Sequence, residues 1–222
     1  MPRYASVFLD VDSTLSGVEG IDWLAQRRGA DVAERVAAAT DRAMRGEIPL
    51  DAVYGERLAL VRPGRQELIG LARAYADALA PDAVEAFAFL RRVGVHVALV
   101  SGGIRQAILP LALELGFAPA DVHAVDVVLD GGGNYYSYDA GSPLTQQQGK
   151  REVVAAALDA GLPRPALAVG DGSTDVAMRA ACDALAAFTG FARRDVVVRA
   201  ADHEVASFED LVALIMDEET PA

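Results

Sequence analysis

Short apolar runs bounded by turn-forming residues punctuate the chain. Ser6 to Leu9, Val95 to Val100 and Ala166 to Val169 are brief and mostly aliphatic, the pattern of parallel strands covered on both faces. Between them lie stretches with helical spacing. Ile104 to Gly116 closes on a glycine suited to a helix C-terminus, and Arg151 to Ala160 runs into Gly161. Strand alternating with helix predicts a doubly wound α/β fold with a mostly parallel sheet.

Two segments break this rhythm. Residues 16–81 carry helical patterns near Gly20 to Arg28, Val32 to Arg45, Leu50 to Leu60 and Gln66 to Ala80, with no clear strand. They predict a helical cap inserted into a core formed by residues 1–15 and 82–222. His123 to Asp139 alternates around Gly131-Gly132-Gly133-Asn134, which predicts a β-hairpin.

Composition narrows the function. The chain has 222 residues, 52% hydrophobic and 23% charged, enough to bury roughly 70% of its unfolded surface. Its 20 Lys plus Arg stand against 32 Asp plus Glu, a net charge of −12. Such a surface repels nucleic acid and anionic membrane, so neither is an expected partner. It also repels phosphorylated metabolites, so an anionic substrate needs a metal or a local cation cluster. The single cysteine, Cys182, allows no internal disulfide. It reads as packing in an alanine-rich helical stretch and fits a reducing cytoplasm. The N-terminus shows no signal-peptide pattern. A monomer or homodimer is expected.

The candidate chemistry lies where the three strands end. Leu9 leads into Asp10-Val11-Asp12-Ser13-Thr14, Val100 into Ser101-Gly102-Gly103, and Val169 into Gly170-Asp171-Gly172-Ser173-Thr174-Asp175. Ligands of open α/β sheets bind beyond the carboxyl ends of strands, so these distant loops can share one site. Asp10 and Asp12, two apart on an extended chain, point the same way and repel unless a cation intervenes. A hard divalent ion with oxygen ligands suits them, and Mg²⁺ is the ordinary choice beside phosphate, with Asp171 as a further ligand. The Ser101 hydroxyl and the Gly102 and Gly103 amides form a natural anion cradle. Lys150 opens a helix, an unfavourable place for a lone cation that a phosphate nearby would make favourable. Gly170-Asp171-Gly172 is not a dinucleotide fingerprint, because Asp175 stands near the place of the third glycine.

Together, Asp10-Val11-Asp12-Ser13-Thr14, Ser101-Gly102, Lys150 and Gly170-Asp171-Gly172-x-Thr174-Asp175 resemble the four motifs of the haloacid dehalogenase superfamily, in order and spacing. Within it, Val18-Glu19-Gly20-Ile21-Asp22, Arg42-Ala43-Met44 with Gly46, Glu56-Arg57-Leu58-Ala59-Leu60 and Ser101-Gly102-Gly103-x-Arg105 most resemble the phosphoserine phosphatase family. The resemblance implies Mg²⁺-dependent hydrolysis of a small phosphomonoester, O-phosphoserine first. Asp10 would be the nucleophile that is phosphorylated, and Asp12 the acid for the leaving alkoxide and then the base for water. The ion would be held by the Asp10 carboxylate, the Asp12 backbone carbonyl and Asp171, supported by Asp175. Ser101, Gly102 and Lys150 would hold the phosphoryl oxygens. Glu19 would meet the substrate amine, Arg57 its carboxylate, and Met44 would close over it. The chain departs from the family pattern at Leu50, where phenylalanine is common, in Ala187 to Phe191, and in its lengthened hairpin glycines.

Two alternatives stay open. The same chemistry can act on another small phosphoester or pass the phosphoryl group to an alcohol such as homoserine. A receiver-like signalling module also groups acidic residues, a Ser and a Lys at strand ends. His96, inside an apolar strand run, reads as a satisfied core histidine, and His123 and His203 have no partners at metal spacing. Trp23 reads as packing, and Tyr135, Tyr136 and Tyr138 as strand alternation.

Overall fold

The structure, a computed structural model, describes residues 1–45, 47–48, 51 and 53–216. The elements in chain order are β1 (Ser6–Leu9), α1 (Gly20–Ala25), α2 (Ala30–Met44), α3 (Tyr54–Val61), α4 (Arg65–Asp77), α5 (Ala83–Arg92), β2 (His96–Ile104), α6 (Arg105–Glu114) and β3 (Val122–Val125). There follow β4 (Val127–Leu129), β5 (Tyr135–Tyr138), α7 (Gly149–Asp159), β6 (Ala166–Gly170), α8 (Ser173–Met178), β7 (Ala184–Phe188), α9 (Asp195–Ala200), β8 (His203–Val205) and α10 (Phe208–Met216).

A six-stranded sheet runs in the order β3-β2-β1-β6-β7-β8, and its neighbouring pairs are parallel. All residues of β1, β6 and β7 are buried, as helices on both faces require. The chain winds outward from β1 to β2 and β3, then returns beside β1 and winds the other way. The reversal at β1 is the switch point where α/β sheets open a crevice. Register makes that crevice specific. Leu9 sits opposite Leu99 and Val169, so Asp10, Ser101 and Asp171 each follow within two residues of one aligned level. Phe87 packs edge-on against Phe117 and Phe208, with ring centroids 5.0 and 5.3 Å apart. These contacts seat α5 and α10 against one another.

Several expectations need correction. β2 does not stop at Val100; it continues through Ser101-Gly102-Gly103 to Ile104, with a register shift against β3. The first flank of the expected hairpin is β3, which joins the main sheet. The antiparallel hairpin itself is β4 with β5. Cys182 is buried in the turn between α8 and β7, not in a helical stretch. Alanine favours helix intrinsically, but Ala184-Leu185-Ala186-Ala187 is a wholly buried strand. His96 is only half-buried, at the start of β2 beside Asp121 (3.2 Å). The glycine stops hold: Gly116 and Gly161 take φ of +84° and +109° after α6 and α7, values that glycine tolerates best.

Between β1 and α5 the elements among the described residues are helices. The strands of chain leaving and re-entering the sheet are stitched together there. The Gly17 amide donates to Ala78 O at 2.9 Å, and the Ala80 amide to Leu15 O at 2.9 Å. Ser16 Oγ donates to Tyr75 O at 3.0 Å. Gly46, Leu50 and the Met44 side chain, all singled out above, lie outside the described residues.

Candidate active site

The loop after β1 carries Asp10 straight off the sheet, with its amide donating to Val169 O at 3.0 Å. Asp10 is buried. Lys150, the second residue of α7, reaches in from the side. Its Nζ lies 2.6 Å from Asp10 Oδ1 and 2.7 Å from Asp175 Oδ1. Gly149 lets α7 start this close: a Cβ there would fall 1.6 Å from Pro143 O. Asp175 is fully buried and its other oxygen accepts from the Gly172 amide at 2.8 Å. Gly170 lacks the Cβ that would collide with the Asp175 carboxyl carbon at 2.1 Å.

Burial pushes the Asp10 carboxyl well above its usual value and the Asp175 charge adds to this, while Lys150 opposes both. Burial alone would lower the Lys150 ammonium, but Asp10 and Asp175 hold it above its usual value. The unfavourable helix-start position of Lys150 is therefore answered by two buried carboxylates.

Asp12 faces a different set of partners. Its Oδ1 accepts from Tyr75 Oη at 2.7 Å and its Oδ2 from the Gly20 amide at 2.9 Å. Burial raises the Asp12 carboxyl, and these two donors pull it back. Its carboxylate thus does not join the acidic cluster with Asp10. In that cluster, carboxylate oxygens of Asp10, Asp171 and Asp175 lie within 4.8 Å of one another, all buried.

The Ser101 hydroxyl accepts from the Gly103 amide at 2.9 Å, so that amide is engaged within the loop. Tyr54 Oη, from α3, donates to Gly102 O at 2.8 Å. Glu19 accepts from Ser13 Oγ at 2.8 Å and lies 3.5 Å from Arg194 Nη2. Burial, with the nearby Asp12 charge, pushes Glu19 up to about 7. Ser13 adopts φ +54°, a costly conformation for a side-chain-bearing residue that this crowded loop imposes. Arg57 is 5% exposed and lies 3.6 Å from Asp22, and its Nε is buried without a hydrogen-bond partner.

Asp10, Asp12, Ser101, Gly102, Lys150 and Asp171 line one cavity together with Glu19, Tyr54 and Arg57. Of the other residues the sequence nominated, Asp175 is fully buried and reaches the cavity through Lys150, and the Met44 side chain is not described. Thr14, part of the first motif, donates to Asp171 at 3.2 Å, and three further neighbours have no place in the sequence motifs: Tyr54, Tyr75 and Arg194. Only Arg194 left a trace, as half of an Arg193-Arg194 pair in an acidic chain.

The donor set fits a hard divalent cation. Five carboxyl groups, Asp10, Asp12, Glu19, Asp171 and Asp175, face three cations, Lys150, Arg57 and Arg194. Asp171 Oδ2 is buried and ion-paired with the Arg194 guanidinium. Buried negative charge in excess, offered by oxygen atoms alone, is what such ions bind.

A family model for haloacid dehalogenase-like hydrolases matches residues 7–179. The chain belongs to the haloacid dehalogenase-like hydrolase family. Human phosphoserine phosphatase is 32% identical over 210 residues, covering 95% of this chain and 91% of that one. The chloroplastic phosphoserine phosphatase of Arabidopsis thaliana is 32% identical over 209 residues, covering 93% and 70%. A phosphoserine phosphohydrolase-like protein from Francisella tularensis superposes with a TM-score of 0.86 at 22% identity, covering 95% and 99% of the two chains. A substrate-bound phosphoserine phosphatase gives 0.81 at 24%, covering 97% and 100%. At these structural identities the likeness speaks for the fold. For a haloacid dehalogenase-like hydrolase, the six-stranded sheet and the cavity at its β1 switch point are the features that carry the membership in three dimensions.

Proposed function

We propose that this hydrolase cleaves O-phosphoserine to serine and inorganic phosphate, with Mg²⁺ as cofactor and Asp10 as covalent nucleophile. The observation that carries the substrate is that Arg57 and Glu19 both line the cavity that holds Asp10. The Arg57 Nε has no partner although it is buried, a cost that a substrate carboxylate removes by accepting from the guanidinium. The Glu19 carboxylate suits an ammonium. A zwitterionic phosphomonoester satisfies both groups, and the human and plant relatives are phosphoserine phosphatases.

In the first step an Asp10 carboxylate oxygen forms a bond to phosphorus while the bond from phosphorus to the serine oxygen breaks. Asp12 delivers a proton to that oxygen, because an alkoxide is a poor leaving group. In the second step water attacks phosphorus, Asp12 takes the water's proton, and the bond to Asp10 breaks. Lys150 offsets the charge gathered on the phosphoryl oxygens, with Ser101 and Gly102 alongside. Asp10, the Asp12 backbone carbonyl and Asp171, with Asp175 in support, would hold Mg²⁺, which would supply further charge neutralisation. Residues 16–81, with Met44 among them, act as a cap over this chemistry and exclude water. No helix among the described residues is long and apolar enough to cross a membrane. We assign the reaction to the cytoplasm, where a single buried cysteine, its thiol pushed by burial up to about 12, fits a reducing medium.

The test is phosphate release from O-phospho-L-serine, phosphoethanolamine and glycerol 3-phosphate, each with Mg²⁺ and with EDTA. The proposal expects metal-dependent turnover with the highest kcat/KM for phosphoserine. Equal or better turnover of phosphoethanolamine, which lacks the carboxylate, rejects the Arg57 argument. Transfer of phosphate to added homoserine in preference to water rejects the hydrolase reading.

A further inference from the structure

We infer that Tyr75 is a positioning residue for Asp12, fixing the carboxylate that serves as acid and base. The inference rests on the role given to Asp12 above. Tyr75 projects from α4, more than sixty positions along the chain from Asp12, and is fully buried. Its hydroxyl donates to Asp12 Oδ1 at 2.7 Å, and the Gly20 amide to Oδ2 at 2.9 Å. Each carboxylate oxygen therefore has one donor, and two donors fix the carboxylate plane as well as its position.

Gly20 is part of the device. A Cβ at that position would fall 2.2 Å from Tyr75 Oη, so the glycine both supplies one donor and makes room for the other. A Cβ at Gly103 would lie 3.3 Å from Asp12 Oδ1, so that glycine keeps the space beside the carboxylate clear. Tyr75 excludes solvent, and water cannot replace its hydroxyl at no cost. As Asp12 gives up its proton to the leaving oxygen, negative charge grows on a carboxylate whose donors are already aimed. That is stabilisation prepared in advance of the transition state.

The role has a signature that simple packing lacks. A serine alkoxide must be protonated to leave, whereas p-nitrophenolate leaves as an anion. Because kcat/KM reports the enzyme's passage through the first irreversible step, the ratio of kcat/KM for O-phosphoserine to that for p-nitrophenyl phosphate isolates proton delivery. In Tyr75→Phe this ratio is expected to fall about tenfold, the worth of one hydrogen bond to a charged group. Gly20→Ala, which displaces the hydroxyl without removing it, is expected to lower the ratio in the same direction and serves if Tyr75→Phe does not fold. Asp12→Asn is measured alongside. If Asp12→Asn lowers the ratio and neither other variant does, the Tyr75 inference alone fails. If Asp12→Asn leaves the ratio unchanged, the acid role of Asp12 fails and the inference falls with it.

Discussion

Lys150 is the group on which the acidic site depends for its own stability. Replacing it by methionine keeps most of the side-chain volume and removes only the ammonium. Asp10 Oδ1 and Asp175 Oδ1, at 2.6 and 2.7 Å from that ammonium, then face each other without a cation in a buried setting. Breaking a buried pair by deleting one partner costs about 3–5 kcal/mol. For a chain of 222 residues, an unfolding entropy of about 2 cal/mol/K per residue makes each kcal/mol worth roughly 2 °C in Tm. The expected fall is therefore about 6–10 °C, read by calorimetry in EDTA at pH 7.5. The pH dependence has a definite sign. Asp10 already sits above its usual value through burial and Asp175, held back by Lys150. Without Lys150 it rises further, so acid neutralises the exposed conflict by protonating it. The deficit should shrink as pH falls. A Tm loss under about 2 °C, or a deficit that widens on acidification, refutes the claim that Lys150 holds these carboxylates together.

Arg57→Ala is expected to raise KM for phosphoserine by about 10²-fold while changing that for phosphoethanolamine by less than about threefold, since a carboxylate bound by arginine is worth roughly 3 kcal/mol; initial-rate kinetics on both substrates decide it. Glu19, pushed up to about 7 by burial, loses the charge that meets the substrate ammonium as pH falls through that value, so KM should rise below about pH 7 in the parent protein and stay flat there in Glu19→Gln. Because its folded value is raised, Glu19 also contributes stability that is complete below its unfolded value near 4.5 and is lost as pH rises through about 7, so Glu19→Gln should gain in Tm over the parent above pH 7 and not below pH 4.5.

What was legible in the sequence was what local pattern encodes. Val7-Phe8-Leu9 and Ala166 to Val169 are short aliphatic runs, and each leads into a carboxylate at the edge where the parallel sheet opens. Gly116 and Gly161 announced their helix ends because positive φ favours glycine. β7 was missed because its alanines speak for helix, and only burial between β6 and β8 makes small residues the right choice. The end of β2 was misplaced because Ser101-Gly102-Gly103 has turn composition, yet pairing with β3 carries the strand through to Ile104. Tyr54 and Tyr75 could not be found at all. Each acts through one hydroxyl delivered from a helix between β1 and α5, and nothing in its neighbours along the chain distinguishes such a tyrosine from a packing residue. Arg194 is similar: its place against Asp171 and Glu19 comes from the loop before α9 folding back over the site.

The covalent role of Asp10 is tested most directly by phosphate release from O-phospho-L-serine in Mg²⁺ by the parent protein and by Asp10→Asn, compared at equal folded concentration. The expected result is sustained turnover by the parent and none above background by the variant, with the two proteins melting alike or the variant higher, since it removes one buried like charge beside Asp175. Turnover by Asp10→Asn at more than about a hundredth of the parent rate, which a lost nucleophile cannot leave, contradicts it.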